Sequence, residues 1–324
     1  MTGPTLHGRT IRVWAALIAL VTTACSDSTA PAPTSVSAPQ FTITVRFVDP
    51  TPPSASVLTA FNQATAKWQS VIVDSVGSIP VKLAAAACDP AQPAVDETVK
   101  DLLVLVHVQQ IRDTVPGQAI LGESGPCLIR KPGNIPILGV MSLNSTTLDT
   151  LASNGMLHDV IEHEMGHLLG FGTVWDLDGL LRDTTTNNPW FSGPHAQAAF
   201  RNALPSYTGK IVPVEAHGGA GTTLSHWRES VMTNELMTGF LNPGVNPLSA
   251  VSVESMADLG YTVNPGAADP WPTPMSGAGA DIVAAPPAAS SHAESATHTA
   301  LRRPRFWATR SGETGPLAGQ VVPR

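Results

Sequence analysis

Charge is scarce in this 324-residue chain and is not gathered in one place. Only 13% of residues are Asp, Glu, Lys or Arg, and the net charge is −7. With no basic stripe, the footprint of a nucleic-acid binder is missing. Cysteine is scarcer still: Cys25, Cys88 and Cys127, with no C-x-x-C pair among them, which argues against a thiolate metal site. The apolar run Val13 to Val21 is too short to span a bilayer as a mature helix. Proline and glycine, by contrast, number 29 and 27, which favours a loop-rich protein over a helical bundle. The length suffices for one or two domains with a real core.

The short apolar run has a different use. Arg9 and Arg12 precede it, and Thr23-Ala24-Cys25 follows it. That order reads as a targeting segment over residues 1–25. A small residue before a cysteine here resembles a bacterial lipoprotein signal, which places a lipid anchor on Cys25. The alternative is plain secretion with cleavage near Ala24. Both put the chain outside the cytoplasm, in the cell envelope or secreted. Residues 26–40 are Ser, Thr, Ala and Pro with almost nothing large and apolar, and read as a disordered tether. Cys88 and Cys127 remain as an even pair, and an oxidising compartment predicts one disulfide between them. Two buried thiols are the other reading.

Residues 41–269 carry the domain. Phe41, Ile43, Val45 and Phe47 alternate with polar residues, a half-buried strand. A helix follows, capped by Ser54 or Ser56, with Val57, Phe61, Ala64, Trp68, Val71 and Ile72 along one stripe. Val81 to Ala86 and Leu102 to Val108 read as strands; the second is apolar on both faces and therefore central. His107 within it reads as a packed histidine. Ile111 to Ile135, rich in Gly and Pro, is expected to be a loop. Ile137 to Leu143 is a further strand, read as the edge of a cleft that pairs with an extended peptide. A short helix is expected near His195 to Ala203, with His195 solvated, and another over Ser252 to Leu259. From 270 to 324 composition turns to Pro, Ala, Ser and Gly without periodicity, and disorder is expected.

The chemistry gathers in Leu157 to Gly172, LHDVIEHEMGHLLGFG. His163-Glu164-Met165-Gly166-His167 matches H-E-x-x-H. Residues four apart share a helix face, so His163 and His167 can aim two imidazoles at one ion. Glu164 lies about 100° round, within reach of water activated by that ion. Zn²⁺ suits imidazole donors and a catalytic site that keeps one position open. Ile161, Met165 and Leu168 fall on the opposite side and are expected in a core. Gly166 and Gly170 lie on the front, where bulk would crowd the metal, and Gly170 also suits a helix end. Helix entry is expected at Ser153 or Asn154. His158, five residues before His163, points elsewhere.

A third ligand must come from further along. His226 is first choice, His217 the runner-up, and Glu229 and Glu235 outside candidates, since two histidines and a glutamate also bind zinc. Met237, in the turn Asn234 to Gly239, can floor the metal with a thioether, although taken alone it reads first as core filler.

These residues resemble the metzincin zinc helix, H-E-x-x-H-x-x-G-x-x-H, but Thr173 stands where that motif ends in histidine. Leishmanolysin-like metalloproteases carry an insertion there and supply the third histidine downstream, before a methionine turn. Ser225-His226-Trp227 and Glu235 to Gly239 stand in that order here. The resemblance implies His163, His167 and His226 as zinc ligands, Glu164 as general base and Met237 as the turn methionine. It also implies an α+β fold: an upper subdomain with a twisted mixed sheet and two long helices, an irregular lower one, and the substrate cleft between. The implied function is a zinc endopeptidase. The rivals are a catalytically silent surface-anchored binding protein on the same scaffold and a metal-dependent hydrolase of a non-peptide amide.

Overall fold

A strand can be apolar at nearly every position only if both its faces are covered, and in this protein they are. The structure is a computed structural model that describes residues 40–112, 119–209, 211–219, 221–272 and 299–300. The main sheet has the order β1 (Ile43–Phe47), β4 (Leu102–Gln109), β6 (Pro136–Asn144), β5 (Gly122–Ile129). β1, β4 and β6 run parallel, and β5 is antiparallel to β6. Leu102, Val104 and Val106 of β4 join one core with helices α1 (Ala55–Val71) and α3 (Leu157–Leu168). Leu103 and Leu105, on the other face, join a second core with the hairpin β2 (Ser78–Leu83) and β3 (Val95–Lys100). The layers are therefore helices, mixed sheet and hairpin, an α+β arrangement.

α1 forms as its stripe predicts. Ser54 caps it, accepting from the Val57 amide, and Val57, Ala60, Phe61, Ala64, Trp68 and Val71 are buried. Trp68 then ties α1 to α3 by donating its indole N–H to the Glu162 carbonyl at 2.8 Å. On the hairpin side, Cys88 and Cys127 are joined by a disulfide across 39 positions, fastening the β2–β3 connection to β5. His107 is buried, within 2.6 Å of the Ser142 hydroxyl and 3.4 Å of Asp89.

Three expectations are corrected. The stretch Ile111 to Ile135 is not all loop, because β5 runs through it from Gly122 to Ile129. Its Gly122, Gly125 and Pro126 argue against a strand interior, yet the position tolerates them: β5 is the sheet edge and bulged around Pro126 and Leu128. For the same reason the strand over Ile137 to Leu143 is no edge, since β6 lies between β4 and β5. Helix entry is not at Ser153 or Asn154. Those residues end a separate helix, α2 (Leu148–Ser153), and α3 begins after Met156 without a side-chain cap.

Beyond α3 the chain is irregular. A three-stranded sheet of two-residue strands, β7 (Leu181–Arg182), β8 (Trp190–Phe191) and β9 (Val212–Pro213), lies in this region. Helix α4 (Pro194–Ala203) is followed by the one-turn α5 (Glu229–Met232) and packs on α6 (Ala250–Asp258). Asp258 accepts from the His195 and Ala196 amides at the start of α4, a carboxylate at a positive helix end. The side chain of His195 is 59% exposed. Among the described residues no helix is long and apolar enough to cross a membrane. The leader with Cys25 and the tether to residue 39 lie outside the described residues. So does the tail beyond 272, apart from Thr299–Ala300, which pairs with Phe240–Leu241.

Candidate metal centre

From Val160 onward the helix that carries the motif is buried on every side. Ile161, Met165 and Leu168 face the core as expected, and His163, Glu164 and His167 have no exposed surface either. Its C-terminal carbonyls are satisfied by side chains. Thr173, standing where the metzincin motif has histidine, donates its hydroxyl to the His167 carbonyl at 2.8 Å. Tyr261 donates to the Leu169 carbonyl at 2.9 Å. Gly170 turns the chain at φ +110°, a conformation that favours glycine at a helix end.

His226 reaches the helix through a close backbone approach. Gly172, at φ +67°, lies against Ser225, and an added Cβ would sit 2.9 Å from Ser225 Cα. The following Trp227 is locked in place: its amide donates to the Met237 carbonyl, and its ring packs on Phe171, Trp175 and Phe191. Its indole N–H donates to Ser252.

The three histidines converge. Their Nε2 atoms form a triangle of 2.9, 3.0 and 3.2 Å. Each Nδ1 faces a main-chain carbonyl: Leu236 for His163 at 2.7 Å, Phe171 for His167 at 2.9 Å, Thr222 for His226 at 3.1 Å, where the Ser225 hydroxyl, donating to the Gly221 carbonyl at 2.7 Å, lies equally near as a further acceptor. A carbonyl only accepts, so Nδ1 carries the proton in each ring and Nε2 presents a lone pair. Three lone pairs at this spacing repel, and a cation between them removes the repulsion. Tetrahedral zinc–nitrogen bonds set nitrogens about 3.3–3.4 Å apart, within a few tenths of the observed triangle, so the donor set fits the ion. Burial pushes the His163 pKa down to about 4, the Leu236 hydrogen bond opposing it weakly. Among the described residues this is the one cluster of three metal-competent side chains.

Glu164, next to His163 on the helix, has one oxygen held and one without a partner. Ser124, on β5, donates to Oε2 at 2.5 Å, while Oε1 is buried without a hydrogen-bond partner. Gly122 explains how the strand comes so near: a Cβ there would lie 3.0 Å from Oε1. Burial raises the Glu164 pKa to about 8; the Ser124 hydrogen bond lowers it and the charge on Glu123 raises it further. A dication at the imidazoles acts in the opposite sense, favouring the carboxylate.

Met237 lies under the helix. A Cβ on Gly166 would come within 2.8 Å of its methyl and 3.1 Å of Trp68. The crowding that Gly166 relieves is thus with Met237 and α1, not with the metal. Glu235 is no ligand. Its buried carboxylate accepts from the Met237 amide at 2.6 Å, from Ser249 at 2.7 Å and from Ser252 at 2.5 Å, so it ties the methionine turn to the start of α6. His217 is exposed and Glu229 binds Asn242; neither joins the triangle. His158 lies 3.0 Å from Glu162.

Sequence reasoning missed Ser124 and Gly122, which were read as part of a loop. Recognising β5 as a strand would have aimed alternate residues, 122 and 124, at one face.

A mixed sheet backed by a helix bearing H-E-x-x-H, with a distant third imidazole, defines a metallopeptidase-type centre. The family model described as leishmanolysin matches residues 96–281, and this chain belongs to that metalloprotease family. Among individual proteins, it is 28% identical over 155 residues to a leishmanolysin homolog of Crithidia fasciculata, covering 46% of this chain and 23% of that protein. It is 26% identical over 156 residues to leishmanolysin of Leishmania donovani, covering 46% and 26%. The matched portion thus spans about a quarter of those relatives' length.

Proposed function

We propose that this chain is a zinc-dependent endopeptidase working outside the cytoplasm, with His163, His167 and His226 as ligands and Glu164 as general base. The observation that carries the proposal is the pairing of three converging Nε2 lone pairs with an open carboxylate oxygen on the next side chain. Held there, Zn²⁺ supplies a Lewis acid that polarises a scissile carbonyl and lowers the pKa of water.

The protein's own groups do the rest. Carbonyl-anchored Nδ1 atoms keep the imidazoles in the binding tautomer without a shuttling proton. Glu164 takes the proton of the attacking water on Oε1 and returns it to the leaving amine, while Oε2 stays with Ser124. β5, as the sheet edge, offers ladder groups to an extended peptide, so the substrate lies along the strand that holds the base. The sheet and its helices make the upper wall of the cleft, and the irregular region after Phe171 the lower. Met237 floors the centre. The Cys88–Cys127 bond supports an oxidising location, in line with the leader and a lipid anchor at Cys25. The open oxygen on Glu164 favours this reading over a silent binding scaffold, which has no use for a poised base.

The test is proteolysis of a casein-type substrate by the purified chain. Activity is expected to vanish with a chelator and return with Zn²⁺. Glu164→Ala is expected to lose at least about 10²-fold in rate while keeping its zinc. Wild-type rates in that variant, or hydrolysis indifferent to chelation, exclude the mechanism.

A further inference from the structure

The edge strand does more than border the centre. Ser124 and Glu164 are both without exposed surface. The Ser124 hydroxyl lies 2.5 Å from Glu164 Oε2 and 2.7 Å from the Glu164 main-chain carbonyl. One hydroxyl has one proton, and the shorter contact to the more basic oxygen takes it. The neighbouring Gly122 backs the same side chain: a Cβ added there would lie 3.0 Å from Oε1, so no bulkier residue fits beside the carboxylate. Two alternate residues of one strand thus face the carboxyl group, one holding an oxygen and the other leaving it room. Without the hydroxyl the side chain is free to rotate about its terminal torsion, which is broad and roughly two-fold.

We infer that Ser124 is a positioning residue: it fixes the rotation of the Glu164 carboxylate so that Oε1 alone faces the reacting water. This rests on the peptidase reading above, and adds to it the residue that orients the base and the strand that residue comes from. It also couples two events. A peptide added along β5 braces the strand whose inner face grips the base, so substrate binding and base alignment reinforce each other.

The experiment uses the whole purified chain and compares wild type, Ser124→Ala, Ser124→Thr, Glu164→Ala and the Ser124→Ala/Glu164→Ala double variant. Zinc content, melting temperature, kcat and KM are measured for each on one fluorogenic peptide. Ser124→Ala is expected to keep one zinc per chain and a KM within twofold, and to lose about 10- to 100-fold in kcat. Ser124→Thr, which retains the hydroxyl, is expected to recover most of it. The stability cycle gives a readout independent of turnover. Loss of a hydrogen bond to a charged group is expected to lower the melting temperature by about 3–12 °C. That fall is expected for Ser124→Ala in the wild-type background and should be clearly smaller in the Glu164→Ala background, where only the main-chain carbonyl of residue 164 is left to accept.

An active wild type with a Ser124→Ala variant of equal kcat refutes the inference and leaves the peptidase reading intact. So does an additive stability cycle, or a loss in Ser124→Ala matched by loss of zinc. A wild type without zinc-dependent hydrolysis refutes the peptidase reading, and the positioning role falls with it.

Discussion

Adding one methyl group at Gly172 should loosen a metal ligand more than fifty residues away in the chain. The substitution is Gly172→Ala. Gly172 has φ +67°, and an alanine in the left-handed region costs roughly 1–2 kcal/mol. The steric effect is larger. The new Cβ would overlap the Ser225 carbonyl oxygen and lie 2.7 Å from its carbon and 2.9 Å from Cα, where ordinary contact begins at 3.4 Å. The Ser225 backbone must retreat by roughly half an ångström or more, at an overpacking cost of about 1–3 kcal/mol. His226 is the next residue, and its Nε2 lies 3.0–3.2 Å from the other two. Against a bond of 2.0–2.1 Å, a shift of that size spoils coordination, and displaced support around a metal ligand typically weakens binding about 10–100-fold.

The assay is zinc affinity by competition with a chromogenic chelator, paired with thermal melts in the presence and absence of zinc. The variant should bind zinc about 10–100-fold more weakly and lose about 2–5 kcal/mol of stability. Its melting temperature should also gain less from added zinc than the wild type, because stabilisation by a ligand scales with ligand concentration over dissociation constant. Wild-type affinity together with an unchanged melt would refute the claim that this close approach delivers the third imidazole.

Two further outcomes follow from features away from the triangle. Replacing Cys88 and Cys127 by serine opens a loop of 39 positions, and chain-entropy reasoning puts the loss at about 4 kcal/mol, readable as a lower midpoint in urea; an unchanged midpoint would show the hairpin held by packing alone. His158 lies beside Asp159 and Glu162, whose hydrogen bonds, Asp159 first, raise its pKa to about 9. A raised pKa means that its contribution is complete below its ordinary value near 6.5 and fades as pH climbs through 9. Stability should therefore decline from pH 7 to 10 in the wild type, and His158→Gln should flatten that decline; an identical pH slope in the variant would remove His158 as its cause.

How much of this was legible beforehand differs by element, for physical reasons. α1 was readable because a cap and an apolar stripe agreed, and β4 because eight residues with little but apolar side chains require cover on both faces. The motif helix announced its histidines by spacing alone. Its start was misplaced because Met156 supplies no capping side chain, while Ser153 and Asn154 end the helix before it. β5 was hidden by Gly122, Gly125 and Pro126, residues that local propensity forbids in a strand and that an edge permits. β3, VDETVK, buries only Val95 and Val99 and so lacked a clean alternation. His226 was one of several candidates until a family likeness singled it out, since no spacing rule links it to a helix residue 59 positions earlier. The role of Glu235 had no local signature, because its three partners come from the turn it sits in and from α6.

The proton on each imidazole is pinned by a main-chain oxygen, those of Leu236, Phe171 and Thr222, and none by a carboxylate. Replacing a side chain at those three positions leaves the pinning oxygen where it was. The electronic setting of the centre is therefore insulated from most drift in the residues around it, and is vulnerable only where the path of the chain itself is bent.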